Sequence, residues 1–396
     1  MLLLLACTQG PDSAPYEDAL TVEAYTELAQ AVVALGPRPP GSPAEAEVAA
    51  LTEAWFQEAG LQQVAAEPYT WEAWQRGSST VSYLGETHAA WAWSPSPTST
   101  TSAELVLLND DVDGKIALSR SNQVSRAEAF TSAWLGGAVG LVHVSQEIDE
   151  DGTDLVEVGH TLDGSTMPAA AVPKALGPTL TDALGTELTL DIDSTTLSDH
   201  ESVNVLGRIP GTGTGRVYVL AHMDSWDTSE SAFDDALGLA GLVLLAREAA
   251  QHPAPSRELV FLATSGEEQG LQGAQAWVAA NAEEVRASSV AITLDVLWSG
   301  EGPFWVGASR DEHRELAMQA AIDEGLEPSD GGQPGLGSDH FPFMGEGLDA
   351  IWCTRQPDRR YHTVNDTLDR IDMEQATAAL RSQWTVVAEL AGVPEP

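Results

Sequence analysis

Two segments of this chain carry residue types suited to metal-assisted hydrolysis. The first reads His222-Met223-Asp224-Ser225-Trp226-Asp227 and resumes at Phe233-Asp234-Asp235; the second is Tyr361-His362-Thr363. Between them lie Ser265-Gly266-Glu267-Glu268-Gln269-Gly270 and Leu294-Asp295. A site drawn from these segments offers the imidazoles of His222 and His362 and the carboxylates of Asp234, Glu268 and Asp295. That mixture suits zinc or a similar divalent ion and suits copper(I) or an iron-sulfur cluster poorly. Three carboxylates bring about three negative charges and a pair of divalent ions four positive ones, leaving one for a hydroxide to neutralise. A single ion would leave the site negative. Acidic pairs alone carry no weight in so acidic a chain, where Asp110-Asp111 and Glu283-Glu284 also occur.

Position in the fold gives these residues their weight. From Val203 onward the rhythm is strand, loop, helix, repeated, which implies an α/β architecture with a mainly parallel sheet flanked by helices. Strands are expected at Val217 to Ala221, Leu259 to Ala263, Val290 to Leu294 and Ala350 to Trp352. Helices are expected at Leu239 to Ala249, Ala274 to Ala280, Glu312 to Glu324 and Glu374 to Leu390. In an open parallel sheet, ligands gather beyond the carboxyl ends of the strands. His222 follows the first of these strands, Glu267 and Glu268 the second, Asp295 the third, and His362 lies in the loop after the last.

Upstream, Leu28, Val32, Val33 and Leu35 suggest a helix that stops at Gly36-Pro37-Arg38-Pro39-Pro40-Gly41-Ser42. A second helix should start from Ser42-Pro43 as N-cap and first-turn proline, carry Val48, Leu51, Trp55 and Phe56, and close at Gly60. From about Tyr69 to His200 the text changes to short alternating strands and turns, with a Ser/Thr/Pro-rich linker around Ser94 to Ser102. This gives residues 1–15 as leader and linker, 16–68 with 201–396 as the main domain, and 69–200 as a smaller β-rich insert.

Taken together these segments resemble the M28 family of zinc peptidases, which includes bacterial aminopeptidases and glutamate carboxypeptidases. Gly36 to Ser42 is similar to that family's entry motif, Tyr361 to Asp369 to its closing one, and Ser338-Asp339-His340 with Pro342-Phe343 also fits. The insert, with its Gly114-Lys115-Ile116 turn and strand, Gly137-Ala138-Val139-Gly140 and Met167-Pro168-Ala169, resembles a protease-associated domain. The resemblance implies the zinc exopeptidase fold and two zinc ions: His222 and Asp295 on one, Glu268 and His362 on the other, Asp234 bridging. It implies Glu267 as general base, Tyr361 as hydrogen-bond donor to the oxyanion, and Asp224 as the residue that fixes the His222 tautomer. It chooses Asp234 over Asp235 as the bridge and a cis peptide between them. Leu237, where relatives carry Ser, departs from the pattern and is expected to narrow the nearby pocket. Ser225-Trp226-Asp227 resembles members close to plasma glutamate carboxypeptidase. Trp298, Phe304, Arg355 and Arg359 are candidates for pocket walls.

The composition bounds the rest. A chain of 396 residues with 43% hydrophobic content supports one large core and a smaller one. Sixty acidic residues against 18 basic ones give a formal charge of −42, a surface that repels nucleic acid and anionic lipid. The only cysteines, Cys7 and Cys353, exclude a disulfide scaffold and a Cys-based structural zinc site. Met1-Leu-Leu-Leu-Leu-Ala-Cys7 resembles the end of a bacterial lipoprotein signal, implying export and membrane attachment through a lipidated Cys7; Cys353 reads as a small buried residue. The reading is a metal-dependent exopeptidase acting on peptides, foremost an aminopeptidase. A dipeptidase or carboxypeptidase of the same family, a single-zinc glutaminyl cyclase and a non-catalytic binding protein of the same fold stand as alternatives, which metal counting helps to separate. Oligomeric state leaves no trace in the sequence.

Overall fold

The computed structural model describes residues 18–162 and 164–395. The leader-like run and Cys7 lie outside the described residues. In chain order the strands are β1 Gln62–Tyr83, β2 Glu86–Ala89, β3 Trp91–Ala92, β4 Ser99–Leu107, β5 Ile116–Arg120, β6 Gly140–Val144, β7 Ala169–Val172, β8 Glu187–Ile209, β9 Arg216–His222, β10 Glu258–Thr264, β11 Val290–Thr293, β12 Phe304–Ala308, β13 Pro328–Gly332 and β14 Asp349–Arg355. At the centre of the main domain, β14, β11, β9 and β10 run parallel, in that order. β8 joins antiparallel beside β10, and β12 antiparallel beside β14, with β13 parallel to β12 at the far edge.

The continuous apolar runs of β9 and β10 follow from burial on both faces. Val217, Val219 and Ala221 of β9 feed a core shared with the helices Val22–Val33, Leu237–Ala250 and Met373–Ala391. Tyr218 and Leu220 face the opposite way, onto Ala274, Trp277 and Phe343. Each fully buried side chain of this size stabilises the fold by about 1.5–3 kcal/mol. The helix Pro43–Glu58 begins as its residues dictate: the Ser42 hydroxyl accepts the Glu45 amide at 3.1 Å, and Pro43 fills the first turn. The four strands and four helices expected from Val203 onward all form, to within three residues at each end. The edge strands β12 and β13 were not foreseen; Pro328-Ser-Asp-Gly-Gly332 has no strand character of its own and is recruited by pairing with β12.

The insert differs from its expected form. β1 and β8 are single strands of 22 and 23 residues, paired antiparallel from Gln62↔Arg208 to Tyr83↔Leu188. Their inner ends extend the main sheet. Their outer ends carry β2 and β4, and β4 leads on through parallel β5, β6 and β7 to β3. The expected boundary at 69 and 200 therefore crosses the middle of a ladder, with Tyr69 opposite Ser202, and not a pair of linkers. The Ser/Thr/Pro-rich stretch is likewise half strand: Thr100 donates to Asp191 at 2.6 Å and Ser102 pairs with Thr189 at 2.7 Å across β4 and β8. The insert has its own cores, one around Trp74, Tyr83 and Leu190 and one around Trp93, Phe130 and Met167.

Candidate metal centre

All the expected chemistry-bearing residues converge at one end of the central strands. His222 closes β9, Glu267 and Glu268 form the tight turn after β10, Asp295 lies just beyond β11, and His362 sits in the loop after β14. Gly266 and Gly270 bracket the Glu-Glu turn at φ +72° and +103°, backbone that L side chains rarely adopt, and this folds the chain back within four residues. Asp234 occupies an irregular turn, Ala232–Ala236, and is joined to Asp235 by the cis peptide that the family resemblance implied.

The geometry centres on Asp234. Its Oδ1 lies 3.2 Å from His222 Nε2 and its Oδ2 3.1 Å from His362 Nε2. Asp295 Oδ1 is 3.7 Å from His222 Nε2, and Glu268 Oε2 is 3.2 Å from His362 Nε2. Two atoms bound to one tetrahedral zinc ion at 2.0–2.1 Å would be roughly 3.3 Å apart, so both triads have the spacing of a ligand set. His222, Asp234 and Asp295 form one and Asp234, Glu268 and His362 the other, all buried. Asp234 Oδ2, Glu268 Oε1, Asp295 Oδ1 and His362 Nε2 are buried without a hydrogen-bond partner. Orphaned buried polar atoms are rare in native interiors, and this set fits a pair of divalent cations. Beside it opens a cleft of about 860 Å³, lined by Glu267, Glu268, Tyr361 and His362 from the main domain and by Arg126 and His160 from the insert.

Residues 204–387 match the model of peptidase family M28. Over that span the chain is similar to this family. It is 28% identical over 389 residues to aminopeptidase YwaD of Bacillus subtilis strain 168, spanning 90% of this chain and 82% of that one. The zinc aminopeptidase BSAP from Bacillus subtilis superposes with a TM-score of 0.77 at 24% identity, covering 96% of this chain and 97% of its own. The aminopeptidase from Aneurinibacillus sp. strain AM-1 gives 0.72 at 24%, covering 95% of each chain. These superpositions span the insert as well as the peptidase sheet, and at such identities they show the fold.

Within this domain, a layer of buried polar groups holds the candidate ligands. Asp224 is fully buried, and its two oxygens accept the amides of Glu267 and Glu268 at 3.1 and 3.2 Å. His222 Nδ1 finds its nearest acceptor in the Asp224 carbonyl at 3.1 Å, with the carboxylate at 3.6 Å, so the main chain is better placed than the side chain to set this tautomer. Asp235 turns away from the ligands and accepts the amides of His222 and Gly238 at 3.2 and 3.1 Å. A Cβ on Gly238 would lie 2.2 Å from that carboxylate, so glycine is required there. Asp366 accepts the Phe233 amide at 2.8 Å and fastens the backbone beside Asp234.

Beneath the site, the buried guanidinium of Arg38 donates to the carbonyls of Met223, Gly36 and Glu230 at 2.8–3.0 Å. Burial lowers its affinity for a proton, and Asp366, Asp224, Asp235 and Asp234 work the other way. Asp339 accepts from Thr264. Burial pushes its carboxyl up to about 7, against the pull of His222 and Thr264 and with the help of Asp224 and Asp295. Burial also raises Glu267 well above the ordinary carboxylate range, opposed by His222 and reinforced by Asp295, Glu268 and Asp339. The Tyr361 phenol is raised by burial and then by Asp234 and Glu268, which keeps it a donor.

Several residues stand elsewhere than the sequence suggested. Leu237 is fully buried in the main core and does not narrow the cleft; its carbonyl accepts the Tyr25 hydroxyl at 3.0 Å. Trp298 and Phe304 are core residues too, 5% and 3% exposed, with the Arg355 guanidinium 4.3 Å above the Trp298 ring. Arg359 is tied to Glu301 at 3.0 Å and Glu150 at 3.3 Å. Trp226 packs against His362 at 5.4 Å between ring centres, and Asp227 pairs with Arg76 of the insert. Cys353, by contrast, is buried as the sequence suggested, its thiol pushed up to about 12 by burial. Sequence reasoning missed Arg126, whose guanidinium lies 3.0 Å from His362 Nδ1 and also donates to the Val158 carbonyl. A neutral imidazole that offers Nε2 to a cation carries its proton on Nδ1, and Arg126 then keeps Val158 and the Glu157 carboxylate, 3.4 Å from its Nε, as partners. No local signal marks an arginine that reaches the site from another domain.

Proposed function

We propose that this chain is a two-zinc exopeptidase that removes N-terminal residues from peptides. The observation that carries the reading is the Asp234 carboxylate set between two imidazoles, one oxygen toward each, at 3.2 and 3.1 Å. A single-zinc enzyme has no use for that symmetry, and a binding module has no use for the buried, unpartnered ligand atoms around it. The similarity to aminopeptidase YwaD over 90% of the chain supports aminopeptidase activity over the other exopeptidase classes.

His222 with Asp295, and His362 with Glu268, would hold the two ions, and Asp234 would bridge them. Bound there, two divalent cations supply a polarised scissile carbonyl and an acidified attacking water. Glu267 lies 4.0 Å from His222 Nε2 and belongs to neither ligand triad. It takes the proton of the attacking water and returns it to the leaving amine. The Tyr361 hydroxyl donates a hydrogen bond to the developing oxyanion. The insert, which we read as a protease-associated-like domain, roofs the cleft with Arg126, His160 and Leu162. A space of about 860 Å³ suits a few residues of a peptide and excludes a folded protein.

Replacing Glu267 by Gln tests the assignment. The variant should keep two zinc ions by elemental analysis and lose hydrolysis of amino-acid arylamides by about 10²–10⁴-fold. Retained turnover would remove Glu267 as the base. Cleavage of dipeptides without arylamides, by the unaltered enzyme, would move the reading to a dipeptidase.

A further inference from the structure

The His362 loop is held from outside its own domain. His362 has φ +60°, a left-handed backbone that a side chain with a Cβ seldom takes, so its surroundings must fix it. Its main-domain neighbours do part of this: Thr363 donates to the Arg360 carbonyl, and Asp358 accepts the Arg360 amide at 2.8 Å. Further contacts come from the insert loop between β6 and β7. The Val158 amide donates to the His362 carbonyl at 3.3 Å. Nine residues earlier, Asp149 is 4% exposed and reaches both flanks of His362. Its oxygens accept Arg360 Nε at 3.2 Å and the Asn365 side-chain amide, and two further cations, Arg370 and Arg359, lie 3.5 and 3.7 Å away.

The run Asp149-Glu150-Asp151-Gly152-Thr153-Asp154 has the look of a cation loop in sequence, yet its charge is met by guanidinium groups from the main domain. Arg359 pairs with Glu150 at 3.3 Å and Arg370 with Asp151 at 2.8 Å. These last two pairs are solvent-facing and contribute little. Asp149 with Arg360 is buried on both sides, 0% and 6% exposed at the side chains, and is the strong member.

We propose that Asp149 is a positioning residue for the peptidase: by gripping Arg360 and Asn365 it seats His362, so that the insert completes the half-site formed by His362, Glu268 and Asp234. This rests on the two-zinc reading above. The groups that hold a metal-binding histidine in place are commonly worth 10–100-fold in metal affinity. An insert that only roofed the cleft would leave metal affinity untouched.

The test is a zinc competition titration on the full chain with a fluorescent chelator, comparing wild type, Asp149→Asn, His362→Gln, the double variant, and Glu147→Gln as an exposed control on the same loop. We expect Asp149→Asn to hold one of two zinc ions about 10–100-fold more weakly while melting cooperatively, with the other ion and the control as in wild type. The double variant should lose no more affinity than His362→Gln alone. Wild-type affinity for both ions in Asp149→Asn, equal weakening of both, or losses that add in the double variant would each overturn the proposal. Should Asp149→Asn fail to fold, Asn365→Ser removes one arm of the grip and is read in the same way. A wild-type protein that binds no zinc would sink the two-zinc reading and this proposal with it, whereas two tight ions in wild type and in Asp149→Asn would sink this proposal alone.

Discussion

Asp224→Asn separates the role the structure gives this residue from the one expected of it in sequence. The two carboxylate oxygens each accept one amide, Glu267 at 3.1 Å and Glu268 at 3.2 Å, in a fully buried setting. Asparagine keeps one oxygen and sets an NH₂ group against the other amide. One buried N–H then loses its acceptor, at a cost of about 1–3 kcal/mol in stability. The catalytic loss should be larger. Those amides fix the turn that aims Glu267, and a displacement of about 1 Å in a reacting group costs about 10²-fold, or roughly 2.7 kcal/mol in the barrier. The Asp224 carbonyl, 3.1 Å from His222 Nδ1, survives the substitution, so the ion on the His222 side should be retained. Stopped assays of arylamide cleavage should show kcat down about 10²-fold with KM little changed. Chelator titration should show weakening confined to the Glu268 side, with Asp224→Asn adding nothing to Glu268→Gln. A kcat within threefold of wild type would refute the positioning argument, as would selective loss of the His222-side ion, which would restore the tautomer role to the carboxylate.

Two further outcomes follow from close contacts. Gly238→Ala would force a methyl to within 2.2 Å of Asp235 Oδ1, and should destabilise the protein by about 1–3 kcal/mol in urea unfolding; unchanged stability would show that Asp235 moves freely. His143 is buried beside Ser119 at 2.7 Å, and burial, then Arg126, push its imidazole down to about 3. Because the folded pKa is depressed, its contribution is present above the unfolded value of about 6.5 and is lost as pH falls below it. Wild type should lose about 2 kcal/mol through this residue between neutral pH and pH 5, a slope that His143→Gln removes. Identical pH profiles of unfolding for the two proteins would contradict the assignment.

The candidate site was legible because its parts are local. His222, Glu267-Glu268 and Asp295 each follow a strand whose apolar text is unbroken, and the rule that ligands gather beyond carboxyl ends placed them together before any contact was known. Asp235 could be told from Asp234 only by family resemblance; the physical difference, acceptance of the His222 and Gly238 amides, is a matter of three dimensions. Leu237, Trp298 and Phe304 were misread as pocket features because proximity in sequence to a ligand or a strand end does not say which way a side chain points. The insert was recognisable as a change of texture, but its ladder was not: β1 and β8 hide long strands behind Gly, Ser and Asp at irregular points where the register shifts. Arg126 and Asp149 were invisible, since their partners lie more than two hundred residues away.

The ladder that joins the two domains also governs how the chain can find its shape. Pairing Tyr83 with Leu188 closes a loop of roughly a hundred residues, which costs about 4 kcal/mol in chain entropy. Both residues belong to the insert's own core, so the collapse that buries them meets that cost once. Every later rung toward Gln62 and Arg208 orders only the next few residues on each side, without closing a new loop. The main sheet thereby receives the inner ends of β1 and β8 already aligned, with Pro68 opposite Val203. The smaller domain is thus a template for the register of the larger one.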